Sequence, residues 1–250
     1  MVLKNSPIRA IFNFIYIRIY LNNKFMSKTF FPYVEDEVFL TEVRRVFDKI
    51  ESSLDKIETD LHDNVIDPFS AVFDSVGNNI SFDEWVGREK SRQLQKTLQN
   101  AIGYFHQKIL GSVDGWRDPG NAGGFDSEND QLKIIAEIKN KWNTMNSSSE
   151  AETYDKMSDF LDERKEYTGY VVIIIPRTPA RFNKPFKPSK RDGREDLLTV
   201  DGATYYEMVT GDKDALLKLF HGLTEAIKVI RKDDFNFEKY IDLFHQAYGH

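Results

Sequence analysis

The chain of 250 residues contains no cysteine. Disulfides and thiolate-bound zinc are therefore excluded. Histidine is scarce as well: the five residues His62, His106, His221, His245 and His250 lie at spacings that match no metal-ligand pattern. Each is read as a packing or surface residue. Also missing is a hydrophobic run long enough to cross a bilayer. The most apolar segment, AIFNFIYIRIYL at 10–21, is about a dozen residues where roughly 20 are needed, and Arg18 interrupts it. No small-residue cleavage site follows. Residues 1–25 are expected to be an N-terminal extension outside the fold, with no membrane role, and 26–250 to form a single domain. A chain without cysteine suits a reducing compartment, so a cytoplasmic location is expected.

Positive charge is short overall, the net charge being −6. The distribution matters more than the total. Acid is dense in VEDEVFLTEV and ESSLDKIETDLHD, whereas RTPARFNKPFKPSKRDGR at 177–194 is rich in Lys and Arg against a single Asp. This is a local basic segment on an acidic body. With 40% hydrophobic residues the chain can bury one substantial core.

What is present centres on LKIIAEIKNKW. Leu132, Ile134, Ala136 and Ile138 alternate with other residues, the period of a half-buried strand over 132–142. Side chains two apart on a strand point the same way, so Glu137 and Lys139 share a face. Asp126, after Gly123-Gly124-Phe125, begins the short excursion that leads into this strand. Two carboxylates and a lysine held together can bind a divalent cation and position a water against a phosphodiester, the arrangement written PD-(D/E)xK. The tripeptide alone decides nothing. A second E-x-K occurs at Glu163-Arg164-Lys165, and in a chain that is 30% charged the ordinary reading is a solvated strand face. Context separates the copies: Glu163 ends a helical stretch, whereas Glu137 sits on a strand preceded by a glycine-rich turn and an aspartate. Phe125 stands where the motif's proline would be. Asp118 and Asp130 are the competing acids, Asp130 lying too close to the strand start to reach the same metal.

The remaining pattern supplies the order of elements. Apolar residues every three or four positions predict a helix over 35–63. Asp67-Pro68 starts a short second helix, and Asp83 starts a long third one ending near Gly111. A loop-rich region containing a hairpin leads to the strand 132–142. A helix over 149–166 and a strand YVVIII over 170–175, apolar throughout and so buried on both faces, come next. The basic segment 177–194 reads as a long loop, and helices over 212–231 and 235–248 close the chain. Helix, hairpin with an aspartate, strand with E-x-K, helix, strand is the order of the PD-(D/E)xK nuclease core. The expected class is α/β (α+β), with a central mixed sheet flanked by helices and helix-rich N- and C-terminal parts.

Five blocks, NVIDPFSAVFD (64–74), RQLQKTLQNAIGYFHQKILG (92–111), IAEIKNKWNTMN (135–146), RFNKPFKPS (181–189) and VTGDKDALLKL (209–219), together resemble the short type II restriction endonucleases that cut GGNCC-type sites, including the GGWCC subset. The resemblance covers about 60 to 220. It implies Mg²⁺-dependent hydrolysis of double-stranded DNA by a homodimer at a palindrome, leaving 5′-phosphate ends, with a cognate DNA methyltransferase as functional partner. Asp126 and Glu137 would hold the metal and Lys139 would serve the attacking water. Glu89 is a candidate additional acid acting through water; its ordinary reading is a helix charge paired with Arg92 or Lys90. Lys141 and Asn143, in the pleat direction of Lys139, either contact the DNA backbone or face solvent. Arg181, Asn183, Lys184 and Lys187 are the candidate base readers, because G·C pairs are read by Arg or Lys donating to guanine O6 and N7. The alternatives are a structure-directed repair or recombination nuclease, a DNA-binding protein without catalysis, and an interaction protein with a basic loop.

Overall fold

The computed structural model describes residues 27–59, 66–120, 124–232 and 235–249. The expected N-terminal extension, 1–25, lies outside the described residues. Among the described residues three helices come first: α1 (Asp36–Thr59), α2 (Pro68–Asn78) and α3 (Phe82–Leu110). The starts of α2 and α3 follow from their caps. Asp67 accepts from the amide of Phe69, with Pro68 filling the first turn, and Ser81 and Glu84 form a reciprocal capping box on α3. Then come β1 (Ser127–Asn129), β2 (Ile134–Lys141), α4 (Ser147–Glu163), β3 (Thr168–Ile175), β4 (Asn183–Pro185) and β5 (Leu197–Asp201). The chain closes with α5 (Gly202–Thr210), α6 (Ala215–Arg231) and α7 (Glu238–Tyr248).

The sheet has the order β1-β2-β3-β5-β4. Its centre is parallel, β2 with β3 and β3 with β5, and its edges β1 and β4 are antiparallel. The mixed sheet with flanking helices is the expected class. Alternate residues of the central strands feed two separate cores. Ala136, Ile138, Tyr170, Val172 and Ile174 pack against Phe39 and Val43 of α1, Phe105 and Ile109 of α3, Tyr205 and Tyr206 of α5 and Leu219 of α6. Ile135, Val171 and Ile173 face the other way, onto Tyr154, Met157 and Leu161 of α4. One face of the sheet thus carries a thick helical layer and the other mainly α4. His106 belongs to the thick layer, its Nδ1 2.8 Å from the Tyr206 hydroxyl. Burial pulls its pKa down to about 4, so it is a neutral packing residue.

Several expectations are corrected. The central strand begins at Ile134, not 132, because Leu132 and Lys133 form the β1–β2 turn, Lys133 having φ 58° and Leu132 being exposed. Asn143 lies in the turn after β2, so it does not share a pleat with Lys139. The segment 177–194 is not all loop: Asn183–Pro185 forms the edge strand β4 against β5. β5 and α5 have no counterpart in the sequence reading. β5 is short and lacks clean alternation. α5 opens on glycine and is rich in Thr, Tyr and Val, which are poor helix formers. It is held by the Asp201 cap, accepting from the Thr204 amide at 2.9 Å, and by burial of both tyrosines. No helix among the described residues is long and apolar enough to cross a membrane.

Candidate active site

The β1–β2 hairpin determines which acid meets Glu137. Its register pairs Ser127 with Ala136, and one step further the same register sets Asp126 opposite Glu137. Asp126 is fastened there, one carboxylate oxygen accepting from the Ile138 amide at 2.8 Å. Glu137 and Lys139 project from the α4 side of β2, and Lys139 Nζ donates to Glu137 Oε1 at 2.8 Å. Both side chains are largely but not wholly covered, 16% and 21% exposed for Glu137 and Lys139. The aspartate, glutamate and lysine singled out in the sequence therefore converge at one place.

The electrostatics of the site are dominated by Asp126. Burial first, and the negative charge of Glu137 second, raise its pKa to about 6; the Ile138 amide, Lys139 and Lys156 pull the other way. Two carboxylates confined together in a largely buried place are stabilised by a bound cation. The competing acids are occupied elsewhere. Asp118 lies 2.8 Å from Lys108 Nζ, and Asp130 is paired with Arg117 and receives the Tyr167 hydroxyl.

A second lysine enters from α4. Lys156 Nζ lies 3.6 Å from Glu137 Oε2, donates to the Gly124 carbonyl at 2.8 Å, and sits 4.6 Å from the centre of the Phe125 ring. Gly124 itself is required by the turn: at φ 123° a side chain is strained, and a Cβ would lie 2.6 Å from Glu128 Oε1. Sequence reasoning missed Lys156. It is one of many charged residues on an amphipathic helix, and only the β2–α4–β3 crossover brings that helix onto the Glu137 face. Glu89 is different: it accepts two bonds from Arg92 and one from Gln93, all on its own helix, and the guanidinium of Arg92 lowers its pKa. The structure joins it to these partners and not to the β2 carboxylates.

The basic segment is divided in its duties. Arg191 makes a two-pronged pair with Asp155 of α4, and Arg194 bridges Asp162 and Asp196. Arg181 donates to Glu207 and to the Lys213 carbonyl, both at 2.8 Å. Asn183, Lys184 and Lys187 are exposed, the first two on β4. Lys141 is half-buried at the end of β2.

The chain was compared with known proteins. The family model described as Eco47II restriction endonuclease matches residues 31–232. The chain is 41% identical over 208 residues to the type II restriction enzyme Eco47II of Escherichia coli, covering 79% of this chain and 87% of that one. It is 26% identical over 213 residues to the type II restriction enzyme Sau96I of Staphylococcus aureus, covering 81% of each. No solved structure matches. With the E-x-K strand, its opposed aspartate and the family match over most of its length, the chain belongs to the Eco47II restriction endonuclease family and is a type II site-specific deoxyribonuclease.

Proposed function

We propose that the enzyme cuts both strands of a short GC-rich palindrome of the GGNCC type, using Mg²⁺ and leaving 5′-phosphate and 3′-hydroxyl ends. The observation that carries this reading is the hairpin register that opposes Asp126 to Glu137 with Lys139 alongside. The donor set fits a hard divalent ion, because its donors are carboxylate oxygens and because burial, with the charge of Glu137 second, makes the ionised Asp126 costly, a cost that a bound cation lowers. Among the described residues no group of three or more Asp, Glu, His or Cys side chains could hold a metal; two carboxylates are enough to anchor Mg²⁺, which keeps several of its waters. Asp126 and Glu137 would hold it.

A bound divalent cation supplies neutralisation of the phosphate charge and acidifies a water. The chain's own groups do the rest. Lys139, held by Glu137, orients the attacking water and stabilises the charge that builds on the phosphoryl oxygens, while the proton that the water loses passes to solvent water. The water oxygen bonds to phosphorus in line as the bond to the 3′ oxygen breaks, and the leaving oxygen takes up a proton. Lys156 offers a second ammonium on the far side of Glu137. Lys141 is suited to a neighbouring phosphate, and Asn183, Lys184 and Lys187 to base edges and backbone. Arg181 reaches a base only by exchanging its present partners. Reading a palindrome calls for a homodimer, and host DNA in the same cytoplasm calls for protection by a cognate methyltransferase.

The test is cleavage of plasmid DNA with Mg²⁺, with the ends mapped by sequencing and Lys139→Ala as control. Discrete fragments ending at GGNCC-type sites, absent with the variant, are expected. Ragged, sequence-independent ends would overturn the site reading, and no cleavage with any divalent ion would overturn the mechanism.

A further inference from the structure

α2 is an inside-out helix. At 100° per residue, Phe69, Val72, Phe73 and Val76 form one stripe, and these are the residues turned to solvent: 75%, 63%, 77% and 76% exposed. Ala71, Asp74 and Ser75, on the opposite side, are the partly covered ones. No residue of α2 is buried. Phe82, at the start of α3, adds a fifth exposed apolar side chain at 69%. An isolated soluble domain would place the phenylalanines inward and the serine and aspartate outward. The exposure is not fraying, because α2 is capped at both ends, by Asp67 and by Asn79 in the left-handed conformation.

We propose that this stripe, with Phe82, is the two-fold contact between two copies of this chain. The proposal deepens the restriction reading and rests on it in one respect, that a palindrome is read by two protomers. Two physical arguments choose a second copy as the occupant. The first is area. Multiplying ordinary Phe and Val side-chain areas by these exposures gives roughly 600 Å² per protomer, hence about 1,200 Å² for the pair, which reaches the lower end of specific protein–protein contacts. The same figure is at the top of what a monomer ordinarily leaves exposed. The second is charge. A two-fold contact pairs residue i with j and j with i, so a charge in an apolar patch would be buried against apolar side chains of the copy with no opposite charge to meet it. The only charged residue of α2 is Asp74, which is on the opposite side and receives the Asn78 side-chain amide at 2.7 Å. The stripe itself is uncharged, and so is suited to meet its own copy but not a phosphate backbone.

The absence of cysteine makes the test direct. In the full chain, Phe73→Cys is expected to yield disulfide-linked dimers on mild oxidation, while Glu163→Cys, exposed at the far end of α4, is not. Sedimentation of the unmodified protein should show a dimer, and Phe73→Glu or Val76→Glu should weaken self-association by about a hundredfold. Their circular dichroism should be unchanged, since both positions are exposed in the single protomer, whereas the wild-type melting temperature should rise with protein concentration and that of the variants should not. A wild-type monomer with and without DNA, or a Phe73→Glu protein as dimeric as wild type, overturns the proposal. So does a Phe73→Cys thiol that becomes reactive only after residues 1–26 are removed, which would make that segment the occupant. Plasmid cleavage is scored separately. A Phe73-dependent dimer that cuts no DNA upholds the surface and removes the restriction reading. A Phe73→Glu monomer that accumulates nicked circles upholds both.

Discussion

The chain writes E-x-K twice, and the two copies have opposite fates. Glu137-Ile138-Lys139 lies on a strand, so the glutamate and lysine share a face, bond at 2.8 Å and are met by Asp126 from the neighbouring strand. Glu163-Arg164-Lys165 lies where α4 ends. There Glu163 is 77% exposed and its partner is the adjacent Arg164, 3.5 Å away. The same three letters produce a clustered candidate site in one place and solvated charge in the other. What differs is the period of the backbone beneath them and the partial burial that makes charge expensive. Chemistry requires that expense, since a carboxylate in free solvent has no need of a cation.

The comparison can be broken most decisively by deletion. Glu137→Ala and Lys139→Ala are each expected to slow single-turnover cleavage by about a thousandfold, while Glu163→Ala and Lys165→Ala leave it within about twofold. Equal losses at both copies would show that the strand context is irrelevant. A smaller effect sharpens the contrast from the helix side. Lys156→Met keeps the length of the side chain but removes the ammonium beside Glu137, and should slow the single-turnover step by about ten- to a hundredfold through misplacement of the glutamate.

Burial also predicts a cost in stability. Because the folded carboxyl of Asp126 is raised above its ordinary value of 3.8 to about 6, it favours the fold below pH about 4, and that contribution is lost as pH rises through about 6. Asp126→Asn should therefore abolish cutting yet raise the stability of the metal-free protein at pH 8 by about 2 to 3 kcal/mol, with no gain at pH 4. Urea melts at the two pH values check this, and an equal change at both would mean that the titration is not the cause. The smallest effect belongs to Asp155→Ala. It removes a half-exposed pair with Arg191 and should cost no more than about 1 kcal/mol in the same melts.

The site was legible where its logic is local. Alternation revealed β2, parity aligned Glu137 with Lys139, and the glycine turn before Asp126 suggested a return to the strand, which the hairpin register then made specific. Lys156 was not legible, because its role depends on where the β2–α4–β3 crossover lays a helix. Nor were Arg181, Arg191 and Arg194 as tethers: a basic run shows its charge in the sequence but not the acids, brought from α4 and α5, that take it up. β5 and α5 escaped for a related reason. Their stability comes from burial of Leu197, Val200, Tyr205 and Tyr206 rather than from propensity, and burial is decided by the rest of the fold.

One contact has a consequence for how such an enzyme can change. Arg191 grips Asp155, and the Tyr154 hydroxyl donates to the Asp192 carbonyl at 2.6 Å, so the basic segment is bolted to α4 one residue from Lys156. A helix is stiff, and a shift at one turn is carried to the next. The segment proposed to read bases and the lysine beside Glu137 of the proposed catalytic site therefore hang from one lever. Retargeting the enzyme by remodelling the segment would move the cutting edge with it, so new specificities reached by that route should arrive slow and need readjustment of α4 to regain speed.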